Sequence, residues 1–280
     1  MYLRPTTLEE AVKALAGSGG RILSGGTDFY PALGERPVRG PVLDLSLLAG
    51  LAGIAVGPDT IRIGSRTTWT SLIESDLPRC FGGLKAAARE VGSIQIQNRG
   101  TIGGNLCNAS PAADGVPPLL ALDAEVELVS AGGRRRLPLG DFILGNRRTA
   151  LRPNEILTAV LVPRRFENVA SSFLKLGARR YLVISIVMVA AAVAVDGDGI
   201  VADARIAVGA CSPVARRLTG LEDALEGRIA APGIGLVAEA HHLEALSPID
   251  DVRASGTYRR DAALHLVRRA LEACIGETAP

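Results

Sequence analysis

The chain has little of the chemistry that enzymes usually keep for acid–base or metal work. Its three histidines, His241, His242 and His265, all lie beyond residue 240. No carboxylate or cysteine is spaced to share a metal or a proton with them, so surface or interhelix positions are expected. Only four cysteines occur in 280 residues: Cys80, Cys107, Cys211 and Cys274. None forms a CxxC or other ligand spacing, which argues against a zinc or iron–sulfur site within this chain and fits free thiols in a reducing cytosol. Neither sign of charge dominates, with 31 Lys and Arg against 29 Asp and Glu. No strong field is therefore directed at nucleic acid or membrane. The opening MYLRPTTLEE has no basic segment followed by an apolar one, so no export signal is expected and the cytoplasm is the expected compartment. The longest apolar run, residues 183–195 (VISIVMVAAAVAV), contains Ser185 and falls short of the ~20 residues a spanning helix needs. It reads as a buried strand.

What the chain does have is a large apolar share, 48%, enough for a core without disulfide support. It also has glycine, at 32 residues. Against an average near ~7%, a single Gly pair means little. Two stretches stand out all the same: residues 23–33 (LSGGTDFYPAL) and 101–114 (TIGGNLCNASPAAD). Both read as loops that lay backbone against a polar ligand, because glycine permits positive φ and its missing Cβ lets N–H groups converge on an anion. Neither contains GxGxxG or GxxxxGK[ST], so the Rossmann and Walker readings fail. The second stretch is the more informative, since Asn105, Asn108 and Asp114 add hydrogen-bonding groups at a spacing no turn requires. Two such loops suggest one ligand with a diphosphate between them.

In chain order, Thr7 and Glu10 form a capping box that opens a helix carrying Leu8, Val12 and Leu15 on one side. A strand over 21–24 leads into the first Gly pair, a short helix is expected from Asp28, and 42–45 is the expected parallel neighbour. Residues 54–65 read as a hairpin, and this change of period marks a subdomain starting near 53. Helices are expected over 67–74, where Trp69 is a packing residue, and over 84–91 and 117–122. Strands are expected over 125–130 and 155–162. Arg134 to Arg136 read as a solvated hairpin arm rather than a phosphate patch. After a linker at 164–169 come strands at 171–176, 184–195 and 201–210, then helices at 218–225, 235–246 and 259–275. Strands followed by helices describe an α+β domain with helices on one face of an antiparallel sheet.

The two Gly stretches resemble the flavin-diphosphate loops of the FAD-binding (medium) subunit of molybdenum hydroxylases, the family of carbon monoxide dehydrogenase and xanthine dehydrogenase. Residues 173–177 (FLKLG) with Arg179 and Arg180, and Tyr258-Arg259-Arg260 before an Ala/Leu-rich helix, resemble that family's C-terminal domain. The resemblance implies a two-part, PCMH/VAO-like FAD-binding domain over 1–165, with subdomains about 1–52 and 53–165. An α+β C-terminal domain with an antiparallel sheet and packed helices follows over 170–277. It also implies roles for residues. Leu23, Ser24, Gly25, Gly26, Thr27 and Asp28 would contact the FAD diphosphate, with Thr101, Gly104 and Asn105 on its other side. Asn108 would contact the flavin's polar chain and Asp114 a sugar hydroxyl. Leu157 and Lys175 match positions near the isoalloxazine ring, Ile184 a position covering its edge, and Val91 one near the adenine. Cys107, inside the second loop, is expected to be a small buried thiol. No catalytic residue is implied, and no metal site.

On that resemblance the chain is an oxidoreductase subunit whose FAD takes electrons from [2Fe–2S] clusters in an iron–sulfur small partner. A large partner with molybdopterin oxidises the substrate, and NAD+, a quinone, oxygen or another acceptor receives the electrons. A dimer of heterotrimers is the implied assembly. A free-standing FAD-dependent oxidase or dehydrogenase of the same fold is one alternative, although no histidine before 241 is present to attach FAD covalently. A cofactor-free assembly protein is another.

Overall fold

The computed structural model describes residues 1–276; position 277, the expected end of the second domain, lies outside the described residues. The chain forms two compact units, each assembled from separated segments. Unit 1 comprises Met1–Ser75, Ser93–Ala109 and Ala124–Val162. Unit 2 comprises Asp76–Gly92, Ser110–Asp123 and the chain from Pro163 on. Two segments that precede residue 163 therefore pack with the C-terminal part.

Unit 1 opens with a three-stranded parallel sheet ordered β1-β3-β2, where β1 is Tyr2–Leu3, β2 is Arg21–Leu23 and β3 is Val42–Asp44. The helix Leu8–Ser18 starts at the expected capping box: Thr7 accepts from the Glu10 amide and the Glu10 carboxylate accepts from the Thr7 amide. Its Ala11, Val12 and Leu15 bury against Leu43, Leu45, Leu48 and Leu51. The short helix expected from Asp28 is instead a turn followed by a single 3-10 turn, Pro31–Leu33. The run stays short because Gly34, at φ +57°, ends it directly after Leu33.

A five-stranded sheet follows, ordered β4-β5-β10-β6-β7: β4 Ile54–Val56, β5 Thr60–Gly64, β6 Glu125–Ser130, β7 Gly133–Pro138 and β10 Ile156–Pro163. The hairpin expected over 54–65 is present as β4 and β5. A small two-stranded sheet, β8 Ile143–Gly145 with β9 Arg148–Thr149, lies between β7 and β10 in the chain. Trp69 starts the helix Trp69–Glu74 and is 2% exposed, a packing residue as expected.

The Arg134 to Arg136 arm is not simply solvated. Arg134 pairs with buried Glu127 at 3.0 Å, and Arg135 donates two bonds, 2.6 and 2.7 Å, to the Glu155 carboxylate. The Arg135 fork holds the Glu155 carboxyl below its ordinary range, helped by the Arg152 amide and opposed by burial. The first pair ties β7 to β6, and the second ties β7 to the turn ahead of β10.

Unit 2 is built on a four-stranded antiparallel sheet ordered β11-β12-β13-β14: Ala170–Leu176, Val187–Val195, Val201–Gly209 and Arg216–Arg217. The apolar run at 183–195 supplies β12, its central strand. Helices cover both faces rather than one, because β12 is apolar at every alternation. Val187, Val189, Ala191 and Val193 face the long helix Gly256–Gly276. On the opposite face Met188 and Gly209 meet Pro117 of the helix Val116–Ala121, so close that a Cβ on Gly209 would lie 2.9 Å from the Pro117 ring. Adjacent serines follow the same alternation: Ser172 donates to the Ala270 carbonyl and Ser171 to that of Cys80. The helix expected over 235–246 is two short 3-10 pieces, Ile234–Val237 and Ala240–Leu243. Asp123, at the end of the helix Val116–Ala121, ties this face together by pairing with Arg165, Arg205 and Arg217.

Because the folded Glu155 pKa is depressed, its pairing with Arg135 stabilises above the carboxylate's unfolded pKa and is lost as pH falls through the folded value. Arg135→Ala should therefore cost about 1.5–3 kcal/mol at neutral pH. The difference from wild type should vanish in acid, as read by urea unfolding across pH.

Candidate functional site

The first glycine stretch and residues 101–109 of the second lie side by side in unit 1. β2 ends at buried Leu23, whose carbonyl accepts from Leu45 at 2.9 Å, and the chain then turns through Ser24, Gly25, Gly26, Thr27 and Asp28. Gly26 has φ +80°, a turn conformation that disfavours a side chain. Gly25 is required for a different reason: a Cβ there would lie 2.1 Å from the Arg99 carbonyl oxygen. That close approach brings Ser24 and Thr101 to a hydroxyl–hydroxyl hydrogen bond of 3.1 Å. Further along, Asn108 donates from Nδ2 to Asp28 at 3.1 Å. Leu23 also helps wall a concavity of about 270 Å³ with Tyr2, Phe29, Tyr30, Val38 and Val42.

The second stretch differs from the expected loop. Residues Ile102–Asn108 are a helix, with Thr101 as N-cap. Its first amides are all engaged: Ile102 donates to Thr67, Gly103 to Ser65, and Gly104 and Asn105 to the Thr101 hydroxyl and carbonyl. It cannot offer an N–H nest. The first stretch can, because among the described residues the amides of Ser24, Gly25, Gly26 and Thr27 donate to no protein atom. The second contributes side chains instead. Asn105 Oδ1 is buried with no hydrogen-bond partner among the described residues, a cost unless a ligand donor reaches it. Open amides match phosphate oxygens and an orphan carbonyl matches a hydroxyl, so a diphosphate carrying a polyol fits these donors and acceptors. Cys107, expected to be buried, is exposed on this helix.

Leu157 is 4% exposed in β10, beside a register shift. It belongs to the interior of unit 1. The remaining candidates lie in unit 2. Asp114, 9% exposed, pairs with Lys175 at 2.9 Å and accepts from Ser185 at 3.3 Å. The Lys175 ammonium, in β11, also donates to the Glu90 carbonyl at 3.2 Å. Burial pushes the Asp114 carboxyl above its ordinary range, against the pull of the Lys175 charge and of the Lys175 and Ser185 hydrogen bonds. Val91 follows Glu90 directly and is half-buried, while Ile184 precedes Ser185 and is 54% exposed. Four candidates that are scattered in sequence thus belong to one neighbourhood of unit 2, or adjoin its members along the chain.

Sequence reasoning missed Ser185, Glu90 and Arg147. Ser185 had a signal, as the polar interruption of a long apolar run. Glu90 acts through its backbone and Arg147 from a left-handed turn position that its neighbours in sequence do not mark, so neither had one. Among the described residues no group of His, Cys, Asp and Glu could hold a metal ion, and no helix is long and apolar enough to cross a membrane.

Residues 1–165 match the family described as FAD binding domain in molybdopterin dehydrogenase, and residues 172–274 match CO dehydrogenase flavoprotein C-terminal domain. The FAD-subunit of nicotinate dehydrogenase from Eubacterium barkeri is 40% identical over an alignment covering 71% of this chain and 70% of that protein. The xanthine dehydrogenase FAD-binding subunit of Escherichia coli O157:H7 is 33% identical over 99% of this chain and 94% of its own. Among solved structures, carbon monoxide dehydrogenase from Hydrogenophaga pseudoflava, in a form lacking the Mo-pyranopterin moiety, superimposes with a TM-score of 0.89. It is 29% identical, covering 98% of this chain and 96% of that one.

The buried pair of unit 2 gives a test of its own. Lys175→Met strands a buried carboxylate and should cost about 3–5 kcal/mol near neutral pH. Because the folded Asp114 pKa is raised, that deficit should shrink as pH falls through it and the carboxyl protonates. Adding Asp114→Asn should restore most of the stability at neutral pH, measured by urea unfolding without added ligand.

Proposed function

The chain belongs to the family of FAD-binding medium subunits of the carbon monoxide and xanthine dehydrogenases, and on that premise we propose that the glycine stretches of unit 1 hold the FAD diphosphate for electron relay within a three-subunit complex. The observation that carries this reading is the pairing of four open amides at residues 24–27 with the orphan Asn105 Oδ1. Ser24, Gly25, Gly26 and Thr27 would offer N–H groups to phosphate oxygens, as charge-assisted bonds stronger than neutral ones. Leu23 supports the turn from β2, and Asp28 orients Asn108. Thr101 and Gly104 shape the helix start against which the loop rests, and Asn105 would accept from a hydroxyl of the polyol chain.

In unit 2, Asp114 would contribute a sugar contact and Lys175 a positive charge, with Ile184 next to Ser185 in the same neighbourhood. On this reading the FAD-binding domain spans 1–165, with parts at about 1–52 and 53–165, and a C-terminal domain runs over 170–277. When bound, FAD supplies one- and two-electron chemistry, so electrons from [2Fe–2S] clusters of a small partner, drawn from substrate at a molybdopterin centre in a large one, can pass to NAD+, a quinone, oxygen or another acceptor. This chain's own residues bind and orient that cofactor and need no general base. The assembly proposed is a dimer of heterotrimers in the cytoplasm.

The purified chain should take up one FAD and show flavin absorption. Asn105→Ala should weaken FAD binding about tenfold, the equivalent of one buried hydrogen bond, as read by titration of flavin fluorescence. A chain that stays colourless in excess FAD overturns the proposal. Substrate oxidation by the isolated chain, without molybdenum or iron, favours a free-standing oxidase instead.

A further inference from the structure

We infer that Arg147 is a positioning residue for the diphosphate cradle, fixing the Asn108 carboxamide and, through it, Asp28, so that the two glycine stretches hold one arrangement. The inference rests on the reading of that cradle as the FAD site. Arg147 lies in the turn between β8 and β9 with φ +56°, the left-handed region that costs a residue with a Cβ. Asn146 and Arg147 are the two turn residues, where glycine would be the unstrained choice for the second. The contacts of Arg147 give it a use beyond closing the hairpin.

The Arg147 amide donates to the Ala109 carbonyl at 2.9 Å, docking the turn on the end of the helix Ile102–Asn108. Ala109 is itself left-handed, at φ +46°. The Arg147 guanidinium then donates to Asn108 Oδ1, and Asn108 Nδ2 donates to Asp28. Direction matters in this chain of bonds. A guanidinium only donates and a carboxylate only accepts, so Arg147 and Asp28 together dictate which end of the Asn108 amide faces which stretch. Without Arg147 the Asn108 oxygen loses its donor, and the carboxamide is held at one end only, by its bond to Asp28.

Charge points the same way. Asp28 places a negative charge on the rim of a loop whose open amides await an anion. Arg147, exposed on the other side of Asn108, adds a positive charge to the same run of hydrogen bonds.

The test uses the full chain and FAD titration. Arg147→Gly relieves the left-handed strain while deleting the guanidinium, so it should melt no lower than wild type without FAD while its FAD dissociation constant rises about tenfold. Asn108→Ala should weaken binding similarly. Because Arg147 acts through Asn108, the double variant should bind no worse than the weaker single one. Arg147→Lys, which keeps charge but not the planar fork, should fall between Gly and wild type. Binding by Arg147→Gly within about twofold of wild type, or full additivity with Asn108→Ala, overturns the inference and leaves the cradle reading standing. A wild-type chain that takes up no FAD overturns both.

Discussion

The cradle in unit 1 depends on one close approach, the backbone of Gly25 against the Arg99 carbonyl. A Cβ at Gly25 would sit 2.1 Å from that oxygen, so any other residue pushes the first glycine stretch away from the second. Everything that makes the pair usable lies downstream of that contact. The Ser24–Thr101 bond needs it, as does the reach of Asn108 to Asp28. Glycine here is a packing requirement first, and its openness to a ligand follows from where the packing leaves the amides.

The two stretches look alike in sequence and divide the work unequally. In the first, the chain leaves β2 and turns without repeating structure, so its N–H groups have no internal acceptor. In the second, Thr101 caps a helix and the Gly103-Gly104 pair serves compaction, with Gly103 packed on Ser65. The amides are consumed internally, and only side chains, above all Asn105, remain for a ligand. One stretch thus answers negative oxygens and the other answers hydroxyls, which suits a ligand that has both along its length.

Local and periodic signals were legible in the sequence. The Thr7 to Glu10 capping box, the β4–β5 hairpin and the apolar run that became β12 each rest on residues a few positions apart, and the parallel pairing of β2 with β3 on two short apolar runs on either side of the first glycine stretch. Long-range consequences were not legible. The helix at Ile102–Asn108 is hidden because a Gly pair reads as a loop until Thr67 and Ser65 supply acceptors from elsewhere in the chain. The Arg134 to Arg136 arm reads as solvated until Glu127 and Glu155 arrive from the neighbouring strand and turn. For the candidate site, residue types singled out the two glycine stretches, but nothing in a single sequence pairs Lys175 with Asp114.

That pairing also bears on what unit 2 can contribute. A lone lysine beside a redox group is a fixed positive charge, whereas Lys175 shares its charge with a carboxylate at 2.9 Å and gives a further bond to the Glu90 backbone. The pair is close to neutral as a unit, and burial raises the Asp114 carboxyl against the attraction that holds it. Small changes in the surroundings therefore shift how much positive charge is felt nearby, since a carboxylate that stays ionised cancels the ammonium and one that protonates exposes it. Ser185, donating to the same carboxylate, is one such adjuster, and it stands on the strand entry that also carries Ile184. On the proposed reading, a chain that only binds and orients its cofactor would still tune it through the balance of one buried ion pair.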